Sequence, residues 1–368
     1  MSVGAICYIS DILRHAFVCE IRLRAKMGVD ISQILHPRKI SLSALSGKAV
    51  AIDAFNSLYQ FLSIIRLPDG TPLRNRDGEV TSHLSGLFYR CINFIEAGMK
   101  PVFVFDGEPP SLKEETIRQR SEARTEAEQA WKEALAAGEV RQAWTKATRA
   151  SRLTGMMIED SKRLLKYMGV PSVQAPSEGE AQAAYMVEAG QADAAASQDF
   201  DSMLFGCPRL IRNLAISGKR RIPKTNRFTQ VEPEEILLSD LLGSLEITRE
   251  QLVDMGIMIG TDYNPGIRGI GPKKAHKIIQ KYGSIDAAVG EGAIDPIESL
   301  EELRTIFLEP SVSMHEEFSW KDIDRGAVIS FMCDRNGFSV DRIASTLDRV
   351  SKREQAAGLS TLDKWCQN

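Results

Sequence analysis

Four short apolar runs, each closed by polar or turn-forming residues, punctuate the first 214 positions: AVAID (49–53), PVFVFD (101–106), DAAASQD (193–199) and RLIRNL (209–214). Apolar character that is continuous along a short run marks strands covered on both faces, as in parallel sheets. Between the runs, apolar residues recur at helical spacing, as in Leu58, Phe61, Leu62 and Ile65, or Leu164, Leu165 and Met168. This alternation predicts an α/β fold with a mainly parallel sheet, followed by a helical second half. Three of the runs end in aspartate: Asp53, Asp106 and Asp199. Ligands of open α/β sheets lie outside the carboxyl ends of the strands, so topology alone would gather these three; aspartate is also an ordinary turn residue at a strand end.

A different pattern fills the stretch from Pro109 and Pro110 to Thr154, which is rich in Ala, Glu and Arg and poor in large apolar residues. At about 100° per residue, Lys113, Arg120 and Arg124 fall on one line, with Glu115, Glu122, Glu126 and Glu133 near the opposite side. Signs segregated in this way suit a helix facing a polyanion, whereas a merely solvated helix interleaves them at i, i+4. A second basic cluster, Lys219, Arg220, Arg221, Lys224 and Arg227, suits either a phosphate-facing loop or a charged hairpin tip. In GIRGIGPKKAHKII (266–279), Gly269 and Gly271 permit a tight turn and Pro272 opens a helix carrying Lys273, Lys274 and Lys277. Helix N-terminal amides beside lysines bind backbone phosphate without reading bases, which is the chemistry of a helix-hairpin-helix type module.

Composition narrows the class. No apolar run approaches the roughly 20 residues needed to span a bilayer, and the first 26 residues, interrupted by Asp11, Arg14, Glu20, Arg22, Arg24 and Lys26, do not form a secretory signal. Six cysteines without a Cys-x-x-Cys pair or a histidine at ligand spacing argue against zinc and for an intracellular chain with reduced thiols. A formal charge of -3 initially argues against an acidic partner such as nucleic acid.

The acids change that inference. Besides the strand-end aspartates, pairs recur at i, i+2 in Glu178 and Glu180 (APSEGEAQAAYM) and in Asp199 and Asp201 (SQDFDSMLFG), and Asp262 stands in IGTDYNPG. Two like charges about 4 Å apart repel by about 4 kcal/mol at an effective dielectric near 20, so such a cluster needs cations or protons. All-oxygen donors select Mg²⁺ or Mn²⁺, and two such ions are the usual means of cutting a phosphodiester. Each acid also has a plainer reading: Ser177 with Glu180 forms a capping-box pattern, Asp199-x-Asp201 resembles the nucleophile motif of metal-dependent phosphatases, and Asp262 precedes a turn. Setting aside the seven acids leaves 42 acids against 46 bases, so the acidic excess is local.

Taken together, AIDAFNSLYQFL, VFDGEPP, TSHLSGLFYR, APSEGEAQAAYM, ASQDFDSMLFG and GTDYNPGIRGIG resemble the flap endonucleases of the XPG-type structure-specific nuclease superfamily, archaeal in type, from Met27 to the tail. The resemblance implies a PIN-like α/β nuclease core, a helical arch over the active site, and a helix-two-turn-helix module that grips duplex DNA and holds K⁺. It places the family's metal-binding acids on Asp53, Asp106, Glu178, Glu180, Asp199, Asp201 and Asp262, for two Mg²⁺ ions with Mn²⁺ as substitute. It puts scissile-phosphate contacts on Lys113 and Arg120, base stacking on Tyr59 and a DNA contact on Arg66; Arg124 of the stripe and Gly269, Gly271, Lys273 and Lys274 of the turn and helix, read from spacing, are further expected DNA contacts. The implied activity is Mg²⁺-dependent cleavage of branched DNA as a 5′ flap endonuclease and 5′ to 3′ exonuclease, in Okazaki fragment maturation and long-patch base excision repair. Alternatives are an exonuclease or another junction-specific superfamily member, an Asp-x-Asp phosphatase, or a non-catalytic DNA-binding scaffold.

The expected organisation is an extension at 1–26, a nuclease region at 27–124 that includes the start of the arch, the rest of the arch at 125–155, and an internal nuclease region at 156–290. The helix-two-turn-helix occupies 255–290, a helical region 291–350, and a tail 351–368. Two departures stand out. The family's Met-Gly-Val start corresponds to Met27, Gly28 and Val29, so Met27 is the expected natural start. In the tail LSTLDKWCQN, Leu359 replaces the glutamine and Cys366 the second aromatic of the family's sliding-clamp motif, leaving Leu362 and Trp365 and predicting a weakened contact. A monomer acting in the cytoplasm at the nucleoid, without membrane association, completes the expectation.

Overall fold

In the computed structural model, residues 28–216, 218–221, 228–314 and 318–351 are described, those at 218–221 and 228–230 by backbone alone. The extension with Met27, the loop bases Lys224 and Arg227, and the clamp-motif residues Leu359, Leu362, Trp365 and Cys366 lie outside the described residues.

Among the described residues nine strands occur in chain order: β1 (Arg38–Lys39), β2 (Ala49–Asp53), β3 (Lys100–Phe105), β4 (Ser172–Gln174), β5 (Ala194–Ala196), β6 (Arg209–Arg212), β7 (Gly218–Arg221), β8 (Phe228–Val231) and β9 (Glu234–Leu237). Seven form one sheet in the order β1-β9-β6-β5-β2-β3-β4, and β7 with β8 forms a separate hairpin. From β6 to β4 every pairing is parallel, while β9 and β1 close one edge antiparallel. The four apolar runs correspond to β2, β3, β5 and β6. The short edge strand β4 carries only one buried residue, Val173, and so leaves no apolar run to read.

Successive residues of the central strands feed opposite cores, as the two-residue period of a strand requires. Ala51, Val102 and Val104 enter one hydrophobic cluster, whereas Val50, Ile52, Phe103 and Phe105 enter the other. Against the second cluster pack α1 (Ala54–Ile64) and α2 (Ser82–Glu96). Beyond β3 the chain forms α3 (Glu114–Ala136) and α4 (Val140–Arg149), joined at Gly138, whose φ of +73° suits the reversal. Then α5 (Gly155–Tyr167) returns to the second cluster through Leu164 and Leu165. On the first cluster lie α6 (Gly179–Glu188), α7 (Asp201–Leu204), α8 (Leu238–Leu245), α9 (Arg249–Ile259) and α10 (Pro272–Tyr282). They are followed by α11 (Ile285–Gly290), α12 (Leu300–Leu308) and α13 (Arg325–Ile329).

Chain direction sets the site. From β2 the chain moves outward to β3 and β4, then crosses back to β5 and β6 on the other side of β2. A switch point therefore lies between the carboxyl ends of β2 and β5, beside Asp53 and the segment bearing Asp199.

The pair α3 and α4 is held to the body at more than its ends. Trp131 Nε1 donates to the Asp69 carbonyl at 3.2 Å, and a Cβ on Gly70, whose φ is +87°, would come within 2.7 Å of Ala147 Cβ. The turn at 67–72 is thereby pressed against the helical pair. In the second half, α9 and α10 are joined by residues 260–271. Gly269 adopts φ +81°, while Gly271 is extended at φ -110° with open space around it, so only the first of the two glycines expected in the turn is required by conformation. Gly266 carries more of the turn: its φ is +71° and a Cβ would meet the Ile259 carbonyl at 2.4 Å. Arg304 on α12 pairs with Asp254 on α9 at 2.8 Å and Asp286 on α11 at 2.7 Å, and Asp254 accepts from the Ile285 amide, tying these helices together.

Candidate active site

Each acid reaches the switch point by a different local route. Asp53 ends β2 and caps α1, accepting from the Asn56 amide at 2.9 Å. Asp106, one residue past β3, accepts from the Gly179 amide at 3.0 Å; a Cβ on Gly179 would strike this carboxylate at 2.5 Å, so a close approach demands glycine there. Glu178 is the N-cap of α6 and Glu180 lies in its first turn. Ser177 does not cap, and the capping-box reading of Glu180 fails. Glu180 Oε1 instead accepts from Ser197 Oγ at 2.5 Å and Ser202 Oγ at 3.2 Å. Asp201 opens α7 and accepts from the Val29 amide at 2.6 Å, and Asp262 in the loop after α9 accepts from the Gly28 amide at 2.9 Å.

These carboxylates sense one another. Burial, then the charge of Asp262, pushes Asp201 up to about 8, and the same two causes raise Asp199 to about 6. Burial and Glu178 raise Asp106 to about 6. Asp53 is raised by burial and by Asp106 and Asp199; Glu180 is raised by burial and by Asp199, Asp53 and Asp201. The seven acids thus form one mutually repelling group.

Two bases, Lys113 immediately before α3 and Arg120 on it, answer that charge. Lys113 Nζ lies 2.6 Å from Glu178 Oε2 and 3.6 Å from Asp262 Oδ2, and Arg120 Nη2 lies 2.5 Å from Asp262 Oδ1. Burial weakens the hold of Lys113 on its proton, but Glu178 and Asp262 outweigh it and keep the ammonium charged. Arg124 places its guanidinium 4.7 Å from the Tyr59 ring centre. The basic stripe therefore faces inward, while Glu115 and Glu122 on the outer side are exposed and pair with Arg118.

The other expected contacts separate. Lys273 and Lys274 are exposed at the start of α10. Arg66 does not face solvent: only 7% exposed, it donates to the Leu62 carbonyl at 2.8 Å, the Gly70 carbonyl at 2.7 Å and Ser151 Oγ at 2.8 Å. Without DNA it forms an internal strap between α1, the 67–72 turn and the end of α4. A guanidinium buried in a fixed fork serves carbonyls as readily as phosphates, and sequence alone does not separate the two.

Sequence reasoning also missed several residues. Asn56 Nδ2 donates to Asp199 Oδ2 at 3.1 Å, and Ser197 links Glu180 with Asp53, 3.4 Å away, and with the Asp199 amide. Arg212 stacks at 4.0 Å on Phe200, between Asp199 and Asp201 in sequence. Asn56 was findable as the third residue after a strand-end aspartate, the position whose amide a helix cap binds.

The XPG N-terminal domain model matches residues 27–127 and the XPG I-region model residues 169–262. Flap endonuclease 1 of Pyrococcus abyssi is 50% identical over 340 residues, 92% of this chain and 98% of that protein. The same enzyme of Methanococcoides burtonii is 49% identical over 339 residues, 92% of this chain and all of its own length. Among solved structures, flap endonuclease-1 from Methanococcus jannaschii aligns with a TM-score of 0.69 at 41% identity, covering 89% of this chain and 98% of that one. The catalytic core of Rad2 in complex with DNA substrate shares the fold, with a TM-score of 0.65 at 24% identity, 87% of this chain and 97% of that one.

The fold and the two matched regions define a structure-specific nuclease of the XPG type, a hydrolase of phosphodiester bonds that uses divalent metal and binds branched DNA. Within that class, the chain belongs to the flap endonuclease family. Among the described residues no helix is long and apolar enough to cross a membrane.

Proposed function

We propose that the chain removes 5′ flaps from branched DNA with two Mg²⁺ ions held by Asp53, Asp106, Glu178, Glu180, Asp199, Asp201 and Asp262. The observation that carries this reading is the convergence of seven carboxylates, four buried and three half-buried, from separate segments beside Lys113 and Arg120. The donor set is entirely hard oxygen, and the raised proton affinity of Asp53, Asp106, Glu180, Asp199 and Asp201 marks a charge excess that small cations or protons relieve. When bound, the ions supply Lewis acidity and lower the pKa of water for attack on phosphorus.

The chain's own groups do the rest. Lys113 and Arg120 are partnered by Glu178 and Asp262 as described; with cations held by those acids, both bases would be available to the scissile phosphate, where positive charge favours the transition state. Tyr59 offers a ring for the base beside the cut, and Arg124 lies next to it for the phosphate backbone. Lys273 and Lys274 at the start of α10, with Gly269 in the preceding turn, grip duplex backbone, and the same module holds K⁺. Water attacks in line, leaving a 5′ phosphate and a 3′ hydroxyl, so no covalent enzyme intermediate is needed. This activity suits Okazaki fragment maturation and long-patch base excision repair in an intracellular monomer. The tail engages a sliding clamp weakly through Leu362 and Trp365; truncation before Leu359 reads that contact by titration of the clamp.

Asp199→Ala tests the reading. Cleavage of a flap substrate should be abolished while binding of that substrate persists, because the residue serves the cations. Parallel loss of both would contradict the assignment.

A further inference from the structure

Asp199 receives a side-chain hydrogen bond from a two-residue relay on α1. Asn56 Nδ2 donates to Asp199 Oδ2 at 3.1 Å, and Gln60 Nε2 donates to Asn56 Oδ1 at 2.6 Å. The Asn56 backbone amide meanwhile donates to Asp53 Oδ1 at 2.9 Å, so one residue holds two of the acids from the same helical turn. The direction of the relay is forced by chemistry. An ionised carboxylate only accepts, so Asn56 must show it the NH₂ group; its carbonyl then faces Gln60, which must present its own NH₂. The relay ends on Gln60 Oε1, which is buried without a hydrogen-bond partner among the described residues. A buried unpaired acceptor is a cost to folding, and packing alone would be served better by an apolar side chain.

We infer that Asn56 and Gln60 are positioning residues of the carboxylate centre: Asn56 orients Asp199 and Asp53, and Gln60 keeps the Asn56 amide from turning over. The inference rests on the reading of these acids as metal ligands. If the Asn56 amide turned, its oxygen would oppose the Asp199 carboxylate, and the donor that fixes the acid's orientation would be replaced by a repelling lone pair. Groups that orient metal ligands typically contribute about 10- to 100-fold in metal affinity.

The test is titration of Mn²⁺ alone into the full chain, followed by calorimetry and by electron paramagnetic resonance, for the parent and for Asp199→Ala, Asn56→Ala, Gln60→Met and Gln60→Glu. Thermal unfolding without metal confirms that each variant folds. Asp199→Ala should lose tight Mn²⁺ binding. Asn56→Ala should weaken it by about tenfold or more, and Gln60→Met by about threefold with an unfolding temperature equal to or above the parent's. Gln60→Glu is the decisive variant. It is isosteric, and its added negative charge alone would tighten a cation, but it draws the Asn56 NH₂ toward itself and turns the amide oxygen to Asp199, so Mn²⁺ binding should weaken by about tenfold. Binding by Gln60→Glu as tight as the parent's, or tighter, overturns the relay. Should that variant not fold, unchanged affinity in Gln60→Met and Asn56→Ala overturns it equally. Parental Mn²⁺ binding by Asp199→Ala would instead remove the metal-centre reading itself.

Discussion

The guanidinium of Arg124 lies 4.7 Å from the ring centre of Tyr59, against the aromatic face proposed above to stack on a base. Tyr59 is half-buried on α1 and Arg124 sits on α3, so the contact joins the sheet-bound helix to the helical pair above it. Base stacking on an aromatic contributes about 1–3 kcal/mol. Tyr59→Ala should therefore slow single-turnover flap cleavage by about 10- to 100-fold, while Tyr59→Phe stays near the parent. Equal rates for Tyr59→Ala and the parent would show that the ring only packs.

On the proposed mechanism, Lys113 and Arg120 serve two states of the site with opposite consequences. Lys113→Met should lower single-turnover cleavage by about 10²-fold, the scale for losing one preorganised charge at a transition state. Without divalent ion the same variant leaves Glu178 and Asp262 short of a counter-charge and should be destabilised by about 3 kcal/mol. Saturating Mg²⁺ should close that stability gap and leave the rate defect. Denaturant unfolding with and without Mg²⁺ reads both; a gap that Mg²⁺ does not narrow would separate Lys113 from the ions.

The carboxylates set a pH dependence of unusual sign. Asp106 and Asp199, raised to about 6, and Asp201, raised to about 8, hold protons longer folded than unfolded. Their contribution to stability is complete below the ordinary carboxylate range near pH 4 and is lost as pH rises through 6 to 8. The metal-free protein should thus melt higher at about pH 6.5 than at about pH 8.5. Excess Mg²⁺ should reverse the order, since cations and protons compete for the same oxygens. Calorimetry in chelator and in Mg²⁺ tests this, and a flat metal-free profile would contradict it.

His83 works the other way at lower pH. Burial holds it down to about 4, and neither ring nitrogen has a hydrogen-bond partner among the described residues. Its folded pKa lies below the unfolded value near 6.5, so stability present above pH 6.5 is lost as pH falls toward 4. His83→Leu should match or exceed the parent at pH 7.5 and exceed it by about 2 kcal/mol at pH 5, measured by urea unfolding. A parallel loss in both proteins would place the acid sensitivity elsewhere.

The central strands were legible because a sheet covered on both faces leaves continuous apolar runs, and β2, β3, β5 and β6 are such runs. The edge strands β4, with one buried residue, and β1, together with β9 next to β1, carry too little apolar signal to be read. The acids were legible because strand ends and helix starts point to one crevice, and the inward stripe because charge segregation survives on a helical wheel. The buried role of Arg66 was not legible, since local carbonyls of Leu62 and Gly70 enclose it only together with the Ser151 hydroxyl, which is 85 residues away in sequence. Nor was the relay through Asn56 and Gln60, because amide side chains at i, i+4 look like any solvated helix until Asp199 arrives from β5.

The most direct test of the account is cleavage of an end-labelled double-flap DNA with the 5′ end free or blocked, in Mg²⁺ and in chelator. The account predicts one Mg²⁺-dependent cut, one nucleotide into the duplex, that requires the free 5′ end. A ladder of mononucleotides irrespective of the branch, or cutting that persists with the end blocked or the metal removed, would contradict it.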